Sequence, residues 1–306
     1  MRHEGDGSGV GRPTSPATNQ GAPLLVRIRG LRPALSPAED RVAEQVLRDA
    51  RQASSWTISQ LAAAADTSET TVLRFCRRLD LAGYPQLRLA LAAESAQPRT
   101  LSVSRTDISA KDSIDDIIAK IAFTDASAVE ETAQQLDPEI LAEAARRIGQ
   151  AGRVDVYGVG ASGLVAADLQ QKLHRIGCLS FAWSDSHLAL TSAALLGRRD
   201  VAIAISHTGA TKETIESAAM AKERGATTIA ITNFPLSPLA RASDLVLTTA
   251  ARETALRSGA TASRIAALTV IDCLYIAVAH RNLPAARKAV KSTRVAVSRH
   301  QVSEED

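Results

Sequence analysis

The sequence predicts a two-domain chain, α followed by α/β: an all-helical N-terminal domain, then a C-terminal doubly wound α/β sandwich on a parallel sheet. Three observations predict it. A length of 306 residues makes two domains the better expectation than one. Over about 33–150 the apolar residues recur at helical spacing. From residue 154 onward, short β-type runs alternate with helical stretches, which is the pattern of a parallel sheet covered on both faces.

The bulk numbers narrow the class. Apolar residues make up 45% of the chain and aromatics 3%, so the cores must be built from Ala, Leu, Val and Ile. The formal net charge of +3 permits nucleic-acid binding through a local patch without demanding it. Cys76, Cys178 and Cys273 are far apart, which gives neither a disulfide framework nor a metal cluster and fits a reducing cytosol. The first residues are polar and lack an apolar h-region, so no secretory signal is expected. The longest apolar stretch, near 266–279, contains Asp272 and falls short of the roughly 20 residues of a bilayer span. A cytoplasmic protein with no membrane partner is expected.

Taken in order, residues 1–30 are rich in Gly, Pro, Ser, Thr and Asn and are expected to form a disordered arm. Leu35-Ser36-Pro37 opens a helix with Ser36 as N-cap and Pro37 at its first position; Val42, Val46 and Leu47 supply its stripe. A second helix fits 58–65 and a third 69–79, capped by Ser68. Gly83-Tyr84-Pro85 breaks the chain before a fourth helix through Leu87 and Leu91. The helical domain thus spans 31–97, with a linker over 98–113. Helices over 114–136 and 138–150 begin the second domain, 114–285. The β-type runs are Val154–Tyr157, 179–182, Val201–Ile205, 227–231 and Leu245–Thr248, and 286–306 is expected to be a C-terminal tail.

The second and third helices are joined by Asp66-Thr67-Ser68, a connection of helix-turn-helix size. On the third helix Val72, Phe75, Cys76 and Leu79 fall on one apolar face; Thr70, Thr71, Arg74, Arg77 and Arg78 are assigned to the other. Together with Ser68 these are the candidate DNA-binding residues. Short hydroxyls at a helix start with arginines behind them suit entry into the major groove. The plain alternative is a solvated basic face. The run Ser68-Glu69-Thr70-Thr71-Val72-Leu73-Arg74-Phe75-Cys76-Arg77-Arg78-Leu79, followed by Ala82-Gly83-Tyr84, closely resembles the winged-helix-like reader of RpiR/MurR-type transcriptional regulators. Asp80 stands where that family usually has Gly, at an expected left-handed helix C-cap.

In the second domain, Val201–Ile205 runs into Ser206-His207-Thr208-Gly209-Ala210-Thr211 and then a helix-like stretch, Lys212–Glu223. A strand ending in a hydroxyl-rich turn at a helix start is a phosphate cradle without lysine or metal ligand. Gly158-Val159-Gly160-Ala161-Ser162-Gly163 fits the dinucleotide fingerprint, with Asp185 at a distance suited to a ribose contact. Two hydroxyl loops, however, suit a single phosphate better than a dinucleotide. The pair of loops resembles the SIS (sugar isomerase) domain over roughly 115–285. That resemblance implies a SIS fold in which Ser162, Ser206, Thr208 and Thr211 bind phosphate, helped by the backbone of Gly160, His207 and Gly209.

Glu253 lies where enzymes of this superfamily often place a base, and it is read here as a ligand-binding residue. The segment 256–264 holds no histidine and resembles that of the regulators. His187 and His207 lie near the loops, and Asp272 is expected in a structural hydrogen bond or a subunit contact. No catalytic residue, cofactor or metal is assigned. The resemblances imply a DNA-binding transcriptional regulator of carbohydrate metabolism, not an enzyme. Its partners would be operator DNA, a phosphorylated sugar or sugar-acid effector, and further copies of itself as homodimer or homotetramer. The alternatives are a sugar-phosphate isomerase with an accessory helical domain and a dinucleotide-dependent enzyme.

Overall fold

A computed structural model describes residues 23–95, 107–253 and 262–298. The N-terminal unit comprises α1 (Leu24–Leu31), a 3-10 turn (Arg32–Ala34), α2 (Pro37–Arg48), α3 (Ala50–Ser55), α4 (Ile58–Ala64), α5 (Glu69–Arg78) and α6 (Tyr84–Ser95). Capping explains most of the helix starts. Ser36 and Glu39 form a reciprocal capping box on α2, and Thr57 with Gln60 forms another on α4. Asp49 caps α3, a short helix that the apolar pattern had not resolved. Val42, Val46, Leu61, Val72, Phe75, Leu79, Leu87 and Leu91 are buried in one core.

The arm expected over residues 1–30 is corrected at its C-terminal end. Leu24, Val26, Ile28 and Leu31 of α1 are buried, so enough apolar surface leaves water to order this segment. The part before residue 23 lies outside the described residues, as do 96–97 at the end of the expected helical domain and 98–106 of the expected linker.

Both helices of the helix-turn-helix end the same way. Leu81 N donates to Cys76 O and Asp80 N to Arg77 O; Thr67 N donates to Ala62 O and Asp66 N to Ala63 O. These are Schellman closures, with Asp80 at φ 55° and Asp66 at φ 46° in the left-handed position.

The second unit begins with α7 (Ile114–Gln135) and α8 (Pro138–Gln150), capped by Ser113 and Asp137. It continues β1 (Val154–Tyr157), α9 (Ala161–Arg175), β2 (Ser180–Trp183), α10 (Ser186–Ala193), β3 (Val201–Ile205), α11 (Lys212–Glu223), β4 (Thr227–Thr232), α12 (Pro238–Ala242), β5 (Leu245–Thr248), α13 (Ala262–Arg281) and α14 (Leu283–Ser298). The five strands form one sheet in the order β2-β1-β3-β4-β5, and every pairing is parallel. β2 starts one residue later than expected, because Ser180 takes the register position opposite Val154.

Side-chain size differs between the two faces of the sheet. Val201, Ile203 and Ile205 of β3, with Ile229 and Ile231 of β4, enter the main core under α8, α9 and α13. Ala202, Ala204 and Ala230 face the other way, where α10, α11 and α12 pack closely on small residues. α13 is long and apolar enough to cross a membrane by length and composition. Here its Ala266, Val270, Ile271, Leu274 and Val278 are buried in the protein core. Asp272 is exposed and pairs with Lys172. The expected tail is corrected as well: α14 is helical through Ser298, with Ala286 buried, and 299–306 lie outside the described residues.

Candidate functional site

Two candidate sites emerge, one in each unit. In the first, α5 buries Val72, Phe75 and Cys76 and leaves Thr70, Arg74, Arg77 and Arg78 exposed beside its exposed N-cap Ser68. Ser68 Oγ accepts from Thr71 N at 3.3 Å, so its hydroxyl is engaged in starting the helix. Thr71 corrects the expected face. It is 4% exposed, and its hydroxyl meets Ser68 Oγ at 3.1 Å and accepts from Arg74 Nη2 at 3.3 Å. At i+3 from Ser68 it lies over the cap and helps hold Arg74 instead of offering an edge to DNA. Burial pushes the Cys76 thiol up to about 11, as befits an inert core residue.

In the second unit the topology does what the linear sequence could not show. β1 and β3 are neighbours, so the loops that leave their carboxyl ends stand side by side where the strand order reverses. Open α/β sheets bind ligands at such a switch point. In the first loop Gly160 precedes α9 at φ 60° and ψ −126°, a conformation open essentially to glycine alone. In the second, Gly209 has φ +61°, and a Cβ there would overlap the Oγ and Cβ of Ser237.

A small cavity lies between these loops. Ser162, His207, Thr232, Thr249, Ser263 and Arg264 line it, so residues from both loops meet at one place. The other expected residues sit around its second loop. Ser206 is 2% exposed; its hydroxyl lies 2.9 Å from Thr211 Oγ1 and accepts from Gly209 N at 3.1 Å. Thr208 is exposed, and its Oγ1 accepts from Ala210 N at 3.2 Å. α9 and α11 have no side-chain cap, unlike α2, α3, α4, α5, α7, α8, α10 and α12. Their first amides therefore remain available to an anion.

Glu253 Oε2 lies 3.9 Å from His207 Nε2, with both side chains 19% exposed. Burial lowers the His207 pKa below its ordinary value, with the Glu253 charge opposing it. The ring meets Phe234 edge-on at 5.7 Å, and its Nδ1 is buried with no hydrogen-bond partner among the described residues. Asp185 is used otherwise than a ribose contact would need: it caps α10, accepting from Leu188 N at 2.9 Å. The described residues hold no cluster of three or more His, Cys, Asp or Glu side chains fit for a metal. Thr232, Thr249 and Ser263 were missed in the sequence. The rule that ligands sit at carboxyl ends of strands would have flagged the first two, since they close β4 and follow β5.

Comparison with known proteins agrees with this layout. Residues 23–98 match the rpiR-family helix-turn-helix domain and residues 147–277 the SIS domain. A helix-turn-helix transcriptional regulator of Caldanaerobacter subterraneus is 41% identical over 259 residues, covering 84% of this chain and 91% of its own. YbbH, a Bacillus subtilis regulator, is 34% identical over 89% of this chain and 96% of its own length. Among solved structures, the Vibrio vulnificus NanR protein complexed with ManNAc-6P is 32% identical with a TM-score of 0.59, covering 91% of this chain and 100% of that one. With two matched domains and near full-length relatives, the chain belongs to the RpiR family of helix-turn-helix transcriptional regulators that carry a SIS domain.

Proposed function

We propose that this regulator binds a phosphorylated sugar at its two glycine loops, where the cavity of about 20 Å³ between them opens to admit it, and that occupancy changes its affinity for operator DNA. One observation carries the reading: Ser162 and His207, from loops 40 or more positions apart in the chain, line a single cavity beside uncapped helix starts. A phosphate there accepts from Ser162, from the α9 and α11 amides, and from Ser206 and Thr211 once they turn from each other to the ligand. Thr208 and the backbone of Gly160, His207 and Gly209 complete the cradle, and Glu253 accepts from a sugar hydroxyl. The NanR complex, with its bound ManNAc-6P, supports this chemistry.

On DNA, Ser68, Thr70, Arg74, Arg77 and Arg78 meet the major groove, and two copies related by a two-fold axis read a pseudo-palindromic site in the cytoplasm. The protein performs no turnover in this reading. One observation favours a second reading, a sugar-phosphate isomerase: the facing Glu253 and His207 could move a proton between neighbouring carbons.

Thermal unfolding against a panel of aldose, ketose and aminosugar phosphates tests both. A ligand at a hundred times its Kd adds about 2.7 kcal/mol of stability. Binding without product formation supports the regulator. Product formation abolished by Glu253→Gln supports the isomerase, and a panel without effect overturns both.

A further inference from the structure

We propose that Glu131 is the physical link between the cavity and the DNA reader, a role that rests on the effector reading above. Glu131 lies on α7 and joins two guanidinium groups. Its Oε2 pairs with Arg29 Nη1 of α1 at 3.0 Å, and its Oε1 accepts from Arg252 Nη2 at 2.5 Å. Arg29 belongs to the reader unit. Arg252 is the chain neighbour of Glu253, whose Oε2 lies 3.9 Å from Nε2 of His207, a residue of the cavity lining. One carboxylate thus ties the helical unit to the segment that frames the ligand site. The tie is shielded, with Arg29 21% and Glu131 17% exposed.

A second contact converges on the same turn of α1. Asn233 follows β4, donates from its backbone to His207 O at 3.0 Å, and accepts from Ala251 N at 2.7 Å through its side chain. Two residues on, Pro235 lies against Gly30, where an added Cβ would come within 3.4 Å of its Cδ. Leu236 packs on the reader's core. Arg29 is thus joined through Glu131 to the segment of Glu253, and Gly30 lies against the segment that follows β4.

The chemistry of the tie makes it responsive. Arg252 Nε is buried without an acceptor among the described residues, whereas its Nη2 donates to Glu131 Oε1. A ligand that engages Glu253 or His207 draws on the backbone beside Arg252. Withdrawing Arg252 breaks the run of charges from Arg29 through Glu131 to the segment beside the cavity, so the reader unit loses one of its holds on that segment. The docked arrangement leaves the reading face of α5 exposed, and in this proposal it is the form that binds DNA. Occupancy of the cavity loosens that docking and weakens operator binding.

The test uses the full chain and a duplex selected with it from a random DNA pool, first without any sugar phosphate. Glu131→Gln, Arg29→Gln and Arg252→Gln should each weaken duplex binding by a similar factor, within the roughly 5- to 150-fold range of allosteric coupling. The Glu131→Gln/Arg29→Gln double variant should weaken it no further than either single change. Arg252→Lys, which keeps the charge but loses the fork, should fall between parent and Arg252→Gln and guards against misfolding of the Gln variant. Parent-like binding by Glu131→Gln and Arg252→Gln, or weakening by Arg29→Gln alone, overturns the link. A parallel titration with the panel phosphate of largest thermal shift separates the two claims. If no phosphate binds the parent, the effector reading falls, while the phosphate-free comparison still judges the link.

Discussion

The two functional regions of this chain are built on opposite plans. The DNA reader is a single stretch of sequence: its candidate contacts lie within 68–78, on one exposed helix face whose other side is buried. The cavity proposed for the effector takes its lining from the starts of α9 and α13, the turn after β3, and the ends of β4 and β5. Function in the reader is therefore separable from stability, since its arginines touch solvent. In the cavity the two are fused, because the groups that would bind ligand also hold the turns in shape.

The largest expected effect tests that fusion. Gly209→Ala should destabilise the α/β unit by about 2–5 kcal/mol, from the left-handed strain and the overlap with Ser237 together. It should abolish sugar-phosphate binding, as read by thermal unfolding with and without ligand. A parent-like melting curve would show that the turn is not held as described. The matching change in the reader is Arg74→Ala. It should weaken operator binding by about 1–3 kcal/mol in a fluorescence anisotropy titration. Its unfolding curve should stay within about 0.5 kcal/mol of the parent's, as for other surface substitutions.

Thr71 and Thr70 sharpen the comparison within one helix turn. Thr71→Val removes a buried, hydrogen-bonded hydroxyl and should lower stability by about 1 kcal/mol. Thr70→Val should leave stability unchanged and lower operator affinity. The reverse pattern would place Thr71 on the DNA. Asp80→Gly, at φ 55°, should raise stability by about 1 kcal/mol, because glycine takes that conformation without strain.

The smallest effect is a pH dependence. Burial holds the folded-state pKa of His207 below its ordinary 6.5, despite Glu253. The unfolded chain then binds more protons in the window just below 6.5, so stability falls as pH drops through it. The slope contributed by one such group is at most about 1.4 kcal/mol per pH unit. His207→Asn should flatten the slope in urea titrations at stepped pH, and an unchanged slope would assign it to other groups.

The same contrast explains what the sequence disclosed. Ser36 and Ser68 cap helices by local chemistry, and the α5 stripe follows a period of 3.6, so both are legible in a linear reading. Thr71 was misplaced although the same period puts it with the core, four residues before Phe75 and eight before Leu79. α1 escaped notice because its neighbours are Gly- and Pro-rich and its partners lie elsewhere in the chain, among them Glu94 and Glu131. In the cavity, the two glycine loops were visible as motifs. Their adjacency depends on β1 pairing with β3, a register that no local window contains. Thr232 and Thr249 entered only with the strand order.

The central claim is that one cavity holds a sugar phosphate and governs DNA binding. The most direct measurement is the operator Kd of the full chain with and without the best sugar phosphate of the panel, for the parent and for Ser162→Val. The expected result is a shift of roughly 5- to 150-fold in the parent and none in Ser162→Val, whose ligand-free operator affinity matches the parent's. An equal shift in both proteins would contradict the claim.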